Sequence, residues 1–99
     1  MDLARLWQEH LQAGCPRELA GIEIAGTDAR ELDAEITSCV SAFLTRQLVM
    51  DARIEHRLED VRTALDRASR EAGPPIAAYA LRLNELVRAV LVETRIGRS

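Results

Sequence analysis

The sequence predicts an all-α protein: a small helical bundle of three long helices plus a short N-terminal helix, with an irregular extended connector. Hydrophobic residues make up 47% of the chain but aromatic residues only 3%, so the core must consist mainly of Leu, Ile, Val and Ala. Leu and Ala are strong helix formers, and the β-branched residues do not cluster as they do in strands. Because 99 residues suit one hydrophobic core, we expect a single helical domain over residues 1–99.

The first helix is predicted from about Leu3 to Ala13. Asp2 can cap its N-terminus, and Gly14 stands where a left-handed residue often ends a helix. The apolar residues of this helix share one face, and His10 lies in the middle of it. These residues are Leu3, Leu6, Trp7 and Leu11.

An irregular connector is predicted from Cys15 to Thr27. Pro16 can begin a single helical turn through Leu19, which Gly21 would end. The stretch Ile22-Glu23-Ile24 alternates like a strand, but no second strand signal is present to pair with it. We therefore expect an extended segment that packs its two isoleucines against the bundle.

Two long helices are predicted in the middle of the chain. The second helix begins with an Asp-x-x-Glu capping box at residues 28–31 and should reach about Arg46. The third runs from about Asp51 to Ala72, and its apolar residues recur in steps of four and three, the pattern of a heptad seam. No Gly or Pro lies between residues 44 and 51, so a single continuous helix over residues 28–72 is an open alternative.

The fourth helix is predicted to start after Gly73-Pro74-Pro75 and to run to about Ile96, before Gly97. Its apolar stripe is wide enough to indicate contact with two helices. The stripe comprises Ile76, Tyr79, Ala80, Leu83, Leu86, Val87, Val90 and Leu91. Alanines close the third helix and open the fourth, so the two helices should form a tight antiparallel hairpin.

The charge balance narrows the range of partners. The formal net charge is -3, and all 13 basic residues are Arg. We interpret the absence of Lys as the codon bias of a GC-rich bacterial genome. The acidic total argues against nucleic-acid binding, which requires a basic surface.

The sequence shows no targeting or membrane segment. The N-terminus lacks a basic region followed by an apolar run, and no uncharged stretch approaches the roughly 20 residues that span a bilayer. We therefore expect a cytoplasmic protein without a membrane partner. In that reducing compartment Cys15 and Cys39 should be free thiols.

His10 and Asp33 are the two polar residues placed on or beside apolar faces. A histidine titrates near neutral pH, and a carboxylate at the margin of an apolar stripe is costly unless it is hydrogen-bonded. One interpretation is a ligand pocket lined by His10, Asp33 and Trp7. The interpretation we prefer is structural, with His10 packed at the edge of the core and Asp33 accepting hydrogen bonds from the backbone of the connector.

The motifs of common catalytic and cofactor sites are absent from the sequence. Cys15 lies at a possible helix start that would stabilise a thiolate, but no histidine is placed beside it to act as a base. The acidic stripe of Asp28, Glu31 and Glu35 lacks the Glu-x-x-His pattern of di-metal bundles. Neither a Gly-rich phosphate loop nor a Cys-x-x-Cys pair is present. We therefore predict no catalytic residue, no metal ligand and no cofactor.

The fourth helix has a second apolar line opposite its main stripe. Leu81 and Val92 are 11 residues apart, about three turns, and two alanines flank them. Glu85 and Arg88 sit beside this line and could fix the register of an antiparallel pairing. Such a line indicates either a central helix or a contact surface, and we predict a contact surface because a bundle this small offers few helices to surround a central one.

Two function classes follow from these patterns. We expect a non-enzymatic interaction module that self-associates, as a homodimer, or docks on a partner protein through its helical faces. The alternative is a small ligand-responsive or nucleic-acid-linked regulator with a pocket near His10, Trp7 and Asp33. Within one chain, the first helix or the segment around Ile22 could instead cover the line between Leu81 and Val92.

Overall fold

The computed structural model describes residues 3–46 and 50–98 of the chain. This part is about 80% helical, which confirms the predicted all-α bundle. Its α-helices are α1 (Leu3–Ala13), α2 (Ala29–Leu44), α3 (Ala52–Glu71) and α4 (Pro74–Arg98). The connector between α1 and α2 holds a 3₁₀ turn (Arg17–Leu19) and two short strands, β1 (Glu23–Ile24) and β2 (Thr27–Asp28). No helix in the described ranges combines the length and apolar character needed to span a membrane.

The α1 helix has the predicted bounds and lies along α4 in the opposite direction. Gly14 follows α1 with a φ of +69°, the left-handed conformation that the sequence predicts. Its carbonyl oxygen accepts a hydrogen bond of 3.0 Å from the Arg82 guanidinium of α4. At the other end of α1, Leu6 lies beside Glu85 and Arg88, further along α4. The predicted cap, Asp2, lies outside the described residues.

The packed face of α1 is narrower than the sequence predicts. The side chains of Leu3, Leu6 and His10 are buried and Trp7 is half-buried, but Leu11 is 52% exposed. The prediction that Leu11 shares the packed face is therefore wrong. The reason is that α1 packs mainly against one helix, α4, which covers only part of its circumference.

A β-hairpin replaces the lone extended segment predicted for the connector. Strand β1 pairs with β2 in antiparallel register, with Ile24 opposite Thr27. The turn residues Ala25 and Gly26 have φ angles of +56° and +73°, as the two central residues of a type I′ turn require. Alanine is an unusual first residue for this turn, so the sequence carried no hairpin signal. The expected packing is confirmed, because Ile24 is buried and Ile22 packs against the core.

The helices α2 and α3 are separate, so the alternative of one continuous helix is wrong. The α2 helix ends at Leu44, and Arg46 then adopts a φ of +60°. The α3 helix starts afresh, since the Asp51 carboxylate accepts a 2.8 Å hydrogen bond from the backbone N–H of Ile54. At the start of α2, the Asp28 carboxylate likewise accepts from two backbone N–H groups, which confirms the Asp28 half of the predicted capping box.

The central element of the bundle is α4, which packs against α1, α2 and α3. The sequence predicted two neighbouring helices rather than three. The most extensive packing is with α3, which confirms the predicted hairpin, and Ala64 and Ala68 of α3 pack on the core there. The hydrophobic residues buried along α4 are Tyr79, Ala80, Leu83, Leu86, Val87, Ala89, Val90 and Leu91. One side of α4 nevertheless remains open to solvent.

Candidate functional site

The Asp33 carboxylate is the centre of a polar network that joins four parts of the chain. Its Oδ2 atom accepts a hydrogen bond of 2.9 Å from Nε2 of His10, which α1 supplies. The same oxygen accepts a hydrogen bond from the hydroxyl of Tyr79 on α4. The exposed Cys15 side chain, from the connector, lies close enough to Asp33 to affect its pKa. His10 and Tyr79 are 4% and 1% exposed, so the network lies largely inside the bundle.

The protonation states of the network follow from these contacts. Burial raises the pKa of Asp33, but the hydrogen bonds from His10 and Tyr79 outweigh it and hold that pKa below its ordinary value. Burial and the neighbouring carboxylate both raise the pKa of the Tyr79 hydroxyl. Burial and Asp33 also raise the pKa of the Cys15 thiol. At neutral pH the network therefore contains an ionised Asp33 carboxylate beside a protonated Tyr79 hydroxyl and a protonated Cys15 thiol.

A structural role fits this network better than a ligand pocket. The structure brings His10 and Asp33 together, as the pocket interpretation requires, but two protein donors already occupy Oδ2 of Asp33. Those donors are side chains, not the connector backbone that the sequence suggested. Trp7 packs half-buried against the core. A surface cavity of about 630 Å³ lies elsewhere, between the β-hairpin and the turn from α3 to α4, and is lined by none of these three residues.

Tyr79 and Cys15 are members of the network that the sequence did not identify. A signal for Tyr79 existed, because a tyrosine in the middle of an apolar stripe needs a hydrogen-bond partner for its hydroxyl. Arg82 lies over the Tyr79 ring, with its guanidinium carbon 5.5 Å from the ring centroid. No comparable signal marked Cys15, because its place beside Asp33 depends on how the connector folds back.

The open side of α4 carries the second candidate site. It is a stripe of six exposed residues at heptad spacing, which we call the α4 stripe: Ala78, Leu81, Glu85, Arg88, Val92 and Arg95. Leu81 is 54% exposed and Val92 is 40% exposed, so neither α1 nor the hairpin covers the predicted line. Ala89, one of the two alanines predicted to flank it, is instead buried on the bundle side.

The two charges at the centre of the α4 stripe differ from the charges near them. Arg95, at the end of the stripe, and Arg62 of α3 form ion pairs with Glu59 of α3. Within the described ranges, neither Glu85 nor Arg88 has an ion-pair partner. Two shallow cavities flank the stripe, one of about 270 Å³ against α1 and one of about 210 Å³ against α3, and Arg88 lines both. The centre of the stripe therefore presents apolar side chains together with two charges, Glu85 and Arg88, that can pair with another surface.

Comparisons with known proteins do not identify a function for either candidate site. No protein family, curated protein or solved structure significantly matches the chain. Among the described residues, no group of three or more His, Cys, Asp or Glu side chains is arranged to hold a metal ion.

Proposed function

We propose that this chain is a non-enzymatic interaction module that self-associates through the α4 stripe. The observation that supports the proposal most strongly is the exposure of Leu81 and Val92 on the helix that is otherwise the most enclosed in the bundle. Isolated exposed apolar residues are common on protein surfaces. Here the two side chains are aligned on one face of a rigid helix that three neighbouring helices hold in place.

The size of the apolar contact sets the expected strength of association. Full burial of a Leu or Val side chain is worth roughly 1.5–3 kcal/mol, and a two-fold dimer buries each residue twice. Association costs roughly 4–15 kcal/mol of lost translational and rotational freedom. Both side chains are already partly buried in the monomer, so the free energy gained by burying them exceeds the cost of association by little. We therefore expect a weak dimer whose population depends on concentration.

Two exposed leucines allow a matched test of this surface. The double variant Leu81→Glu, Val92→Glu should remain helical and should sediment as a monomer, because it places four carboxylates in the dimer interface. Leu11→Glu is the control, since Leu11 is 52% exposed on α1 and lies outside the α4 stripe. Analytical ultracentrifugation with circular dichroism checks both variants. Equal loss of the dimer in the control, or dimers that persist in the double variant, would contradict the proposal.

The proposed setting is the reducing bacterial cytoplasm. Both Cys15 and Cys39 are free thiols in the structure, which is compatible with that compartment. The raised pKa of the Cys15 thiol supports a non-enzymatic role, because the thiolate rather than the thiol is the reactive form.

The alternative, a ligand-responsive or nucleic-acid-linked regulator, has weaker support. Asp33 is occupied by protein donors, and the net charge of -3 disfavours a nucleic-acid partner. The alternative makes its own prediction: a small molecule should copurify with the wild-type chain and be lost from folded His10→Ala protein.

A further inference from the structure

We infer that two copies of the chain pair their α4 helices antiparallel, about a two-fold axis that crosses between Leu86 and Val87. This inference rests on the proposed self-association and adds the partner, the orientation and the register. It starts from a symmetry in the α4 stripe. Leu81 and Val92 are equally distant from the midpoint between residues 86 and 87, and so are Glu85 and Arg88.

The stripe has the geometry of an antiparallel helix pair. Its six positions follow steps of three and four residues, which is the spacing of a coiled-coil seam, and all six are exposed. Antiparallel pairing about the midpoint places Leu81 opposite Val92 of the partner subunit. The same register places Glu85 opposite the partner's Arg88. A single two-fold axis therefore places apolar residues opposite apolar residues and acidic residues opposite basic residues in all four of these pairs.

Other arrangements of the same stripe lose this complementarity. A parallel two-fold pair sets each residue against its own copy, so that Glu85 faces the partner's Glu85 and Arg88 faces the partner's Arg88. Like charges in that position repel. An antiparallel pair that slips by one heptad sets Leu81 opposite the partner's Glu85, or Arg88 opposite the partner's Val92. Both slips bury an apolar side chain against a charge. The first leaves Arg88 opposite the partner's Ala78. The second sets Glu85 opposite the partner's Arg95, whose guanidinium is already paired with two carboxylates of its own α3.

The ends of the stripe fit the same register. Ala78 lies opposite the partner's Arg95, and a small residue leaves room for that long side chain. The Arg95 guanidinium is tied to two carboxylates of its own α3, with its Nε atom 3.5 Å from Glu55 and a second contact to Glu59. Its aliphatic stem can therefore cover the partner's alanine without adding an unpaired charge to the interface.

Disulfide trapping distinguishes these arrangements. The variants Leu81→Cys and Val92→Cys are made separately in a chain that carries Cys15→Ser and Cys39→Ala. In the antiparallel pair, position 81 faces position 92 of the partner, so an equimolar mixture should form a mixed disulfide under mild oxidation. Each variant alone should stay largely uncross-linked, because identical positions lie about 16 Å apart along the axis, at about 1.5 Å per residue. A disulfide requires Cα atoms within about 7 Å.

The outcomes separate this inference from the proposed function. Disulfides in either variant alone would indicate a parallel pair, and a dimer without the mixed disulfide would indicate another surface. Either result overturns the register and leaves self-association standing. A wild-type chain that sediments only as a monomer would contradict the proposed function itself.

Charge reversal provides a second test that does not depend on cysteine chemistry. E85R sets a cation against the partner's Arg88 at two places and should weaken the dimer by at least roughly tenfold in Kd. The double reversal, Glu85→Arg with Arg88→Glu, restores two opposite-charge pairs and should recover the wild-type Kd. Recovery is specific to the antiparallel register. A double variant as weak as E85R would overturn the inference.

Discussion

At the scale of single residues, Asp33 shows which part of a buried site a sequence predicts. A carboxylate beside an apolar stripe must find hydrogen-bond donors, and a histidine in the middle of another stripe must find a partner. Both requirements were evident from helical spacing. The sequence did not show that the two residues hydrogen-bond to each other, because His10 and Asp33 are 23 positions apart and meet only once α1 and α2 are both packed in the bundle. Helical periodicity identifies the face of a helix but not its neighbour.

The electrostatics of Asp33 predict how the stability of the protein depends on pH. The folded state lowers the pKa of Asp33 below that of the unfolded chain, so the ionised carboxylate stabilises the folded state. This contribution is complete above the unfolded pKa, near pH 4, and is lost as the pH falls through the folded pKa. Asp33→Asn should therefore lower the free energy of unfolding by about 1–3 kcal/mol near pH 6, and by less near pH 3.

Urea denaturation at a series of pH values checks this prediction. Asp66→Asn is the control, because Asp66 forms an exposed ion pair with Arg70 on α3 and its loss should cost no more than about 1 kcal/mol. If the wild type and Asp33→Asn differ by the same free energy at every pH, then Asp33 does not carry the charge assigned to it.

At the scale of elements, the sequence predicted helices better than the segments between them. The bounds of α1 and the cap of α2 were evident because capping residues and periodicity coincide there. Periodicity alone gave the approximate bounds of α3. The hairpin was missed because its turn depends on a left-handed alanine. The break after α2 was predicted but left open against one continuous helix, because no Gly or Pro marks it and the residue in the left-handed conformation is Arg46. Long-range contacts stabilise the hairpin: Arg57 of α3 hydrogen-bonds to both Thr27 and Glu35.

The conformation of the hairpin turn predicts that two substitutions of Ala25 change the free energy of unfolding in opposite directions. Ala25 has a φ of +56°, a conformation that Asn tolerates and that β-branched residues strongly disfavour. Ala25→Asn should raise the free energy of unfolding by roughly 0.5–1 kcal/mol, whereas Ala25→Val should lower it by at least roughly 1 kcal/mol. Thermal or urea unfolding measures both. A turn that accepts Val as readily as Asn would not have the type I′ conformation described above.

At the scale of the whole molecule, the exposed line on α4 was predicted correctly for a reason that is partly wrong. The sequence placed Leu81 and Val92 opposite the main stripe, and both are exposed. The argument that few helices could surround α4 failed, because three helices do so. The short α1 can cover only part of α4, and α3 covers the other side. The open sector between them is what allows α4 to act as both the core of the bundle and its proposed contact surface.

The mass of the wild-type chain in solution tests this account most directly. Sedimentation equilibrium over a concentration series from micromolar to millimolar should show a mass that rises from 11.0 kDa toward twice that value. The Leu81→Glu, Val92→Glu variant should stay at the lower limit throughout the series. A wild-type chain that remains at 11.0 kDa at every concentration would contradict self-association through α4.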